Sequence, residues 1–225
     1  CASTETDLRL QTIIFISTVE NISNQAKVFF ILKNIFGATV DEIRDSTLSQ
    51  QEAIYKSIKR TKKNIQNTYK DKEIDLTCIP GALKTLPLVE EIMYAVFNIG
   101  FDTFRKKMEN TVNEEICLEA FALTRLLYMQ YKADTTRNLL ALLCFHSARI
   151  PAKIECGKLI PFFKQNREKW NKELITLGFT FLKKPNELNK FYLEAIITSK
   201  YMTIPDFKQN DWLAIVQLYK MMQQV

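Results

Sequence analysis

The chain has 225 residues, 47% of them hydrophobic, and a formal net charge of +6. The hydrophobic fraction is large enough to form a core and excludes gross disorder. Five glycines and six prolines are few for the many turns of a strand-rich fold. Regular apolar spacing with Leu, Ile, Lys and Glu dominating therefore predicts an all-α protein. The five cysteines include no C-x-x-C pair, so we expect free thiols rather than a disulfide frame or a zinc site.

The first clear elements in chain order are two helices separated by a glycine. The pattern predicts a helix over residues 23–36, which Gly37 would end because glycine adopts the left-handed backbone that often closes a helix. Thr39 is the expected N-cap of a short helix from Val40 to about Asp45, with Glu42 at its third position.

A tight turn and a longer helix follow. The turn is "STLS", and we expect Leu48 to anchor it to the core. Ser49 is the expected N-cap of the longer helix, and Glu52 three residues later completes a capping-box pattern. At about 100° per residue, three isoleucines of this helix form one apolar stripe: Ile54, Ile58 and Ile65.

Most of the net positive charge lies on this longer helix and just after it. From Gln51 to Lys72 there are seven basic residues and two acidic ones. Four of the basic residues lie opposite the apolar stripe, at about 140–240° from Ile54: Lys56, Lys59, Arg60 and Lys63. Such asymmetry indicates an anionic partner, most often nucleic acid. The three elements match a helix-turn-helix; the alternative is a solvated surface helix after an unrelated loop.

Residues 67–85 mix charge with Pro80 and Gly81 and lack helical spacing until Leu83, so we place a boundary there. The predicted domains are a helix-turn-helix DNA-binding domain over 8–72 and a helical domain over 76–225. Apolar spacing predicts further helices near residues 83–98, 113–130, 135–149, 165–182, 187–201 and 211–222. No clean 34-residue repeat is visible, although helix pairs suit tetratricopeptide-like packing.

Few residues suggest catalysis or metal binding. His146 is the only histidine, and we interpret it as a partly buried side chain hydrogen-bonded near a helix end, against the alternative of a catalytic or ligand-sensing residue. Cys144 and His146 would point to different helix faces, which argues against a metal site. Trp170 and Trp212 are expected to anchor the core. We therefore predict a protein that is not an enzyme and that uses no cofactor and no metal.

The segment "NQAKVFFILKNIFGATVDEIRDSTLSQQEAIYKSIKRTKKNI" resembles region 4 of the extracytoplasmic-function (ECF) sigma factors of bacterial RNA polymerase. The matching features are the glycine, the Thr-x-x-Glu-Ile helix, the turn leucine and the closing basic residues: Gly37, Thr39, Glu42, Ile43, Leu48, Arg60, Lys62 and Lys63. The resemblance implies that the basic helix enters the major groove of the promoter −35 element. It also implies that apolar surface on the earlier helices holds the flap of the polymerase β subunit.

Under this resemblance, the basic helix supplies two sets of DNA contacts. Phosphate contacts are expected from Lys59, Arg60, Lys62 and Lys63. Base edges are expected to be read by side chains near the start of the helix: Gln50, Gln51, Glu52, Tyr55 and Lys56.

The resemblance extends to one ECF subgroup that carries a C-terminal helical extension likened to tetratricopeptide repeats. Its landmarks recur in order as "IMYAVFNIGF", "CLEAFALTRLL" and "LLALLCFHSARIPAK", followed by segments centred on Trp170 and Trp212. The chain departs from the subgroup pattern at Ile99, where the subgroup tends to have Glu, and at Ser147 and Ile150, where it has Asp and Arg. Region 2 is absent, and the chain begins near the linker that should follow it. We therefore expect the C-terminal part of a longer protein.

The sequence thus predicts a cytoplasmic sigma-factor part that directs RNA polymerase to promoters. Its expected partners are promoter DNA at the −35 element and the RNA polymerase core, and its extension is expected to contact the sigma module within the same chain. No membrane association is expected, because the longest apolar run, residues 139–145, is too short to span a bilayer. The alternative hypothesis is a helical protein-interaction scaffold whose sigma-derived module no longer binds promoters.

Overall fold

The structure, a computed structural model, describes residues 2–102 and 113–225. These residues form eleven α-helices and one two-stranded sheet, which confirms the all-α prediction. Two compact units result: residues 2–102 with 113–127 form the first, and residues 128–225 form the second. Within the described ranges, no helix is both long and apolar enough to cross a membrane. The four cysteines in these ranges, all free thiols, are Cys78, Cys117, Cys144 and Cys156, while Cys1 lies outside the described residues.

The first unit is a helical assembly whose core lies among its first five helices. Its helices are α1 (Ala2–Thr18), α2 (Asn24–Asn34), α3 (Val40–Thr47), α4 (Gln51–Tyr69), α5 (Ala82–Asp102) and the first turns of α6 (Glu114–Tyr131). Helix α5 packs against α1, α2 and α3, and α4 packs against α2 and α3. The fully buried side chains at these contacts include Leu10, Ile13, Leu32, Ile43 and Phe97.

The packing of α5 changes the predicted division of the chain. The expected boundary lay between residues 72 and 76, but α5 follows that boundary and buries Val89, Ile92 and Met93 in the first unit. A loop of mixed composition precedes α5, and it separates two helices of one unit rather than two units.

Gly100 in α5 allows a close approach to the start of α6. A Cβ atom at Gly100 would lie 2.9 Å from the backbone oxygen of Asn113 and 3.0 Å from Sγ of Cys117. The amide of Asn113 donates a hydrogen bond to the Gly100 carbonyl over 2.9 Å. The neighbouring Ile99 is buried and is part of the core.

The second unit is built around α7, which packs most extensively against α9 and also against α10, while α10 packs against α11. Its helices are α7 (Asp134–Ala148), α8 (Ile150–Lys153), α9 (Lys172–Phe181), α10 (Lys190–Thr203) and α11 (Gln209–Met222). Strands β1 (Ile154–Glu155) and β2 (Lys158–Leu159) pair antiparallel, with Ile154 opposite Leu159. The hairpin turn, Cys156 and Gly157, has positive φ at both positions, as a type I′ turn requires.

The segment before α9 differs from the prediction. A helix over 165–182 was expected, but α9 begins only at Lys172, after two single-turn 3₁₀ helices, Phe162–Lys164 and Arg167–Lys169. Asn171 accepts a hydrogen bond from the amide of Leu174 over 3.0 Å and so starts the helix there. The two tryptophans also differ: Trp170 is buried as expected, whereas Trp212 is 44% exposed and does not anchor the core.

Candidate nucleic-acid interface

The end of α2 sets the direction of the chain into α3. Ser23 caps α2 by accepting a hydrogen bond from the amide of Ala26 over 3.3 Å. The predicted glycine stop is confirmed: Gly37 has φ +68°, and the amide of Ala38 donates to the carbonyl of Leu32 over 2.9 Å. This bond spans six positions and encloses the left-handed Gly37, which turns the chain away from the helix axis.

Helix α3 begins with a complete capping box, as predicted. The Thr39 hydroxyl accepts a hydrogen bond from the amide of Glu42 over 3.2 Å. The Glu42 carboxylate accepts one from the amide of Thr39 over 2.7 Å. Because two otherwise unpaired helix-end donors are satisfied reciprocally, this motif fixes where α3 starts. Val40 and Ile43 then lie in the core.

The prediction for Leu48 was wrong. Leu48 closes α3 in the left-handed conformation, with φ 52°, and its side chain is 94% exposed instead of anchoring the turn. The left-handed backbone directs this Cβ outward, whereas the amides of Leu48 and Ser49 both donate to the carbonyl of Arg44. Backbone hydrogen bonds, and not an apolar contact of Leu48, therefore hold the turn.

The predicted cap of α4 was also wrong by one residue. Gln50 is the N-cap and provides no side-chain cap bond, so Ser49 and Glu52 form no capping box. The Ser49 hydroxyl instead donates to the carbonyl of Thr47 over 3.2 Å and accepts from the Gln25 amide nitrogen over 3.3 Å. Ser49 thus ties the turn to the first turn of α2.

The inner face of α4 holds this helix against α2 and α3. Ile54 is fully buried as predicted, while Ile58 and Ile65 are half-buried. The most buried position beyond Ile54 is Thr61, with 2% exposure, which the apolar pattern does not include. Thr61 lies about 20° from Ile54 around the helix axis, at the edge of the stripe on the side away from Ile58. The helical spacing therefore predicts burial of Thr61, but a pattern that counts only apolar residues leaves it out because its side chain carries a hydroxyl.

Every residue that the sequence proposed for DNA contact lies on the exposed side of α4 or, for Gln50, at its N-cap. All nine are solvent-exposed: Gln50, Gln51, Glu52, Tyr55, Lys56, Lys59, Arg60, Lys62 and Lys63. Lys56 forms an ion pair with Glu52 over 2.6 Å, one helical turn away. Among the residues that the structure describes, Lys59, Arg60, Lys62 and Lys63 have no carboxylate partner. Four uncompensated cations therefore lie on one solvent-facing surface, which we call the α4 basic face.

Another lysine of this unit has a different role. Lys27 on α2 is only 7% exposed, and its ammonium donates to the carbonyl of Ser17 over 2.7 Å, at the end of α1. Burial lowers the pKa of Lys27 below its usual value. This cation stabilises the C-terminal end of α1, where helix carbonyls carry partial negative charge, and it is inaccessible to an external anion.

The structure assembles no metal centre in the part of the chain that it describes, since no three His, Cys, Asp or Glu side chains converge there. His146 lies half-buried in the last turn of α7, and its Nδ1 is 3.1 Å from a guanidinium nitrogen of Arg149. Burial, and then the positive charges of Arg149 and Lys153, lower the pKa of His146 well below its usual value. The imidazole is therefore neutral at pH 7, near a helix end as expected.

Comparison with known proteins adds one finding. The model of a family of unknown function, DUF6596, matches residues 85–186, which is less than half of the chain. The matched range runs from α5 past the end of α9 and does not include α2, α3 or α4. No curated protein and no solved structure matches the chain at a significant level.

Proposed function

We propose that this chain is a DNA-binding and polymerase-binding transcription factor of the ECF sigma type, in which α4 binds the promoter −35 element. The observation that carries the proposal is the α4 basic face, presented by a helix whose opposite side is fixed in a core. A short helix, a three-residue turn and a longer helix provide the elements of a helix-turn-helix. The resemblance of residues 24–65 to sigma region 4 supports the same assignment.

The dimensions of α4 suit the major groove. A helix of 19 residues is about 28 Å long and, with its side chains, about 10–12 Å across, and the major groove is about 12 Å wide. In this class of motif the first turns of the recognition helix contact base edges. The basic residues begin later in α4, so their long side chains can reach the phosphates that flank the groove.

Base reading is assigned to the first two turns of α4. Gln51 and Tyr55 are one turn apart and both exposed, and glutamine can donate and accept against adenine. In the free protein Lys56 is held by Glu52, so its approach to a guanine competes with that ion pair. Leu48 joins these residues because its exposed side chain precedes them, and an apolar group there can contact a thymine methyl group.

The second unit is proposed to regulate promoter output rather than to catalyse a reaction. Unit 128–225 has its own buried core, including Leu142, Phe145 and Leu193. Polymerase binding and the contact between the extension and the sigma module are proposals that rest on the resemblance. Transcription from a cognate promoter, with and without residues 128–225, tests this regulatory role, and equal output at equal protein level would contradict it.

The binding proposal can be tested without knowing the promoter. The chain is incubated with a pool of duplexes carrying a randomised central segment, and the bound duplexes are selected and sequenced over several rounds. We expect one short motif to be enriched, and we expect Gln51→Ala to relax the preference at a single position, with a cost of about 1–3 kcal/mol there. The Lys172→Ala variant, altered at an exposed position on α9, is the control and should select the same motif.

Failure of enrichment would contradict the sigma-type proposal. The second candidate function, a helical interaction scaffold, is favoured by apolar side chains that α11 exposes. Leu213 is 54% exposed and Val216 is 47% exposed, one helical turn apart. The scaffold function would be supported instead if the chain selects no DNA motif and Leu213→Asp abolishes its binding to a protein partner.

A further inference from the structure

Five aromatic side chains of the second unit form a cluster that is partly open to solvent, which we call the aromatic patch. They come from the first 3₁₀ helix, the end of α10, the loop that follows it and α11: Phe163, Tyr201, Phe207, Trp212 and Tyr219. The first four ring centroids all lie within 6.4 Å of one another, and the closest pair, Phe207 and Trp212, is 4.7 Å apart. The side chain of Tyr219 is hydrogen-bonded to that of Tyr201. The patch is therefore one cluster that lies wholly within the second unit.

The segment that carries Phe163 is held against the end of α10 by Arg167. The guanidinium of Arg167 donates to the carbonyls of Tyr201, Met202 and Ile204 over 3.2, 3.3 and 3.0 Å. Because a guanidinium offers a rigid fork of donors, three such bonds fix the two segments against each other. The rings are thus positioned before any ligand arrives, which lowers the entropic cost of binding.

Three rings of the patch face solvent. Phe163 is 58% exposed, and Trp212 and Tyr219 are each 44% exposed. At about 150–250 Å² for an aromatic side chain, these three rings expose roughly 300 Å² in total. An apolar patch of that size on a protein surface often has a function. Tyr201 and Phe207 are half-buried and support the open rings from below.

The unit that carries the patch is strongly basic. Residues 128–225 include fifteen basic and eight acidic residues, a net charge of +7, whereas residues 1–127 have a net charge of −1 despite the basic residues of α4. Two copies of such a unit repel each other, so a second copy of this chain is a poor partner for the patch. The charge instead favours an anionic partner.

The positive charge reaches the edge of the patch. Three exposed lysines each lie within four positions of an open ring along the chain: Lys164, Lys208 and Lys220. In the part of the chain that the structure describes, none of the three is within ion-pair distance of a carboxylate. Two acidic residues lie nearby, Asp206 and Asp211, and the carboxylate of Asp211 accepts a hydrogen bond from the amide of Lys208 over 2.9 Å. The three ammonium groups are therefore available to phosphates.

From this arrangement we propose that the aromatic patch binds single-stranded DNA. Bases stack on the open rings of Phe163 and Trp212, while the lysines contact the phosphates, a combination that holds a single strand with little regard to its sequence. An acidic peptide would match the lysines but offers no planar groups to stack on the rings. The choice of DNA rather than RNA rests on the proposed function, in which the same chain binds DNA; the stacking and phosphate contacts do not involve α4.

The test is fluorescence anisotropy with a labelled oligothymidylate of twelve nucleotides, within the roughly 4–16 nucleotides that a binding domain of this kind covers. Every protein in the test is the full chain with Lys59→Glu and Lys63→Glu, which we call the parent. These changes remove two cations of the α4 basic face, so failure of the −35 proposal and failure of this one give separate results. We expect a Kd on the order of 10 μM.

Three comparison ligands separate stacking from charge. An abasic strand of the same length keeps the phosphates but has no bases, and the duplex with oligoadenylate keeps its bases stacked on one another. Each is expected to bind at least about tenfold more weakly than oligothymidylate. Oligouridylate of the same length, which is RNA, is expected to bind no more tightly than oligothymidylate.

Substitutions of one ring locate the stacking. Trp212→Leu is expected to weaken oligothymidylate binding by at least about tenfold, whereas Trp212→Phe, which keeps an aromatic ring, should stay within about threefold of the parent. The matched control is Phe179→Leu, which removes a ring that is 41% exposed on α9, outside the patch, and should leave binding unchanged. The other tryptophan, Trp170, is 5% exposed, so quenching of tryptophan fluorescence by oligothymidylate reports a base on Trp212.

Substitutions of the lysines test the phosphate contacts. Lys208→Ala with Lys220→Ala is expected to weaken oligothymidylate binding by about tenfold. Lys172→Ala with Lys184→Ala removes the same charge from exposed positions outside the patch and should leave binding within about threefold of the parent. Circular dichroism checks the fold of each variant, and if Trp212→Leu is unfolded, the Lys208 and Lys220 variant decides.

Four results would each overturn the proposal. The first is no saturable binding of oligothymidylate at roughly ten times the expected Kd. The second is an abasic strand or a duplex that binds as tightly as oligothymidylate, which would show that any polyanion suffices. The third is tighter binding of oligouridylate than of oligothymidylate. The fourth is parental affinity in a folded Trp212→Leu or in the Lys208 and Lys220 variant.

Discussion

Replacement of Gly178 by alanine tests how closely α9 packs on α7. A Cβ atom at this position would lie 2.6 Å from Cε1 and 2.8 Å from Cδ1 of Phe145, about 1 Å closer than two carbon atoms normally approach. Phe145 is fully buried, and its ring is held edge-on against Phe179 at a centroid distance of 5.0 Å. The ring therefore has little freedom to move away from the added methyl group.

Two opposing effects determine the size of the change. Overpacking a well-filled core costs about 1–3 kcal/mol, and alanine recovers about 1 kcal/mol of helix propensity relative to glycine. Because the contact is short and the ring is confined, we expect overpacking to win. The free energy of unfolding should fall by about 1–2 kcal/mol, which corresponds to a drop in Tm of about 2–8 °C.

The assay is thermal unfolding of the full chain followed by circular dichroism, with Thr180→Ala as the control. Thr180 is exposed on the same helix, and its hydroxyl donates to the carbonyl of Thr176 over 3.1 Å, a bond that water can replace. Its replacement should therefore change stability by only a few tenths of a kcal/mol, mainly through helix propensity. Combining Gly178→Ala with Phe145→Leu should cost less than the sum of the two single changes, because the smaller side chain accommodates the methyl group. A Gly178→Ala protein that is more stable than wild type would refute the packing described for α7 and α9.

Three further predictions concern single side chains. Leu48→Gly should raise the free energy of unfolding by about 0.5 kcal/mol, because glycine tolerates the left-handed backbone; in urea unfolding, a loss of about 2–5 kcal/mol would show instead that Leu48 is a core residue. Thr39→Ala should lower the free energy of unfolding by about 1 kcal/mol through loss of the α3 cap, whereas Thr39→Ser, which keeps a hydroxyl, should retain most of that stability. His146 has a depressed pKa from burial, Arg149 and Lys153, so stability should fall as pH drops below about 6.5, by up to about 1.4 kcal/mol per pH unit; a His146→Gln variant with the same acid-side slope would contradict this.

The helices of the first unit could be predicted mainly where a local signal fixes their ends. Gly37 and the Thr39–Glu42 capping box act within four residues, so spacing alone located the end of α2 and the start of α3. Leu48 could not be placed in this way. Its exposure depends on a left-handed backbone angle of 52°, and an apolar side chain in a turn gives no sequence signal for that angle.

The boundaries in the second unit show the same limit. The apolar pattern of residues 165–182 suits a continuous helix, but Asn166 and Asn171 each accept a backbone hydrogen bond and divide the segment. Asn171 is a residue type that often caps helices. Giving it more weight than the apolar spacing of the segment would have located the start of α9. The guanidinium of Arg167 also donates to carbonyls at the end of α10, the shortest bond being 3.0 Å to Ile204, and this long-range contact leaves no local pattern.

The two candidate sites differ in how far the sequence reveals them. The α4 basic face comes from one helix, so the spacing of Lys59, Arg60 and Lys63 was enough to place them on one exposed surface. The aromatic patch gathers residues from a 3₁₀ helix, α10, the following loop and α11 that are up to 56 positions apart, from Phe163 to Tyr219. Only tertiary packing brings such residues together, and a single sequence carries no record of it.

The salt dependence of DNA binding tests the central claim, that the α4 basic face binds phosphates. If its four uncompensated cations each contact a phosphate, the slope of log K against log salt should be about −3.6, and Lys59→Glu with Lys63→Glu should reduce its magnitude by about 1.8. The control is Lys172→Glu with Lys184→Glu, two exposed lysines of the second unit whose reversal changes the net charge equally. Fluorescence anisotropy with one labelled duplex measures all three proteins. A reduced slope is expected only for the α4 variant; an unchanged slope in that variant, or an equal reduction in both variants, would contradict phosphate binding by the α4 basic face.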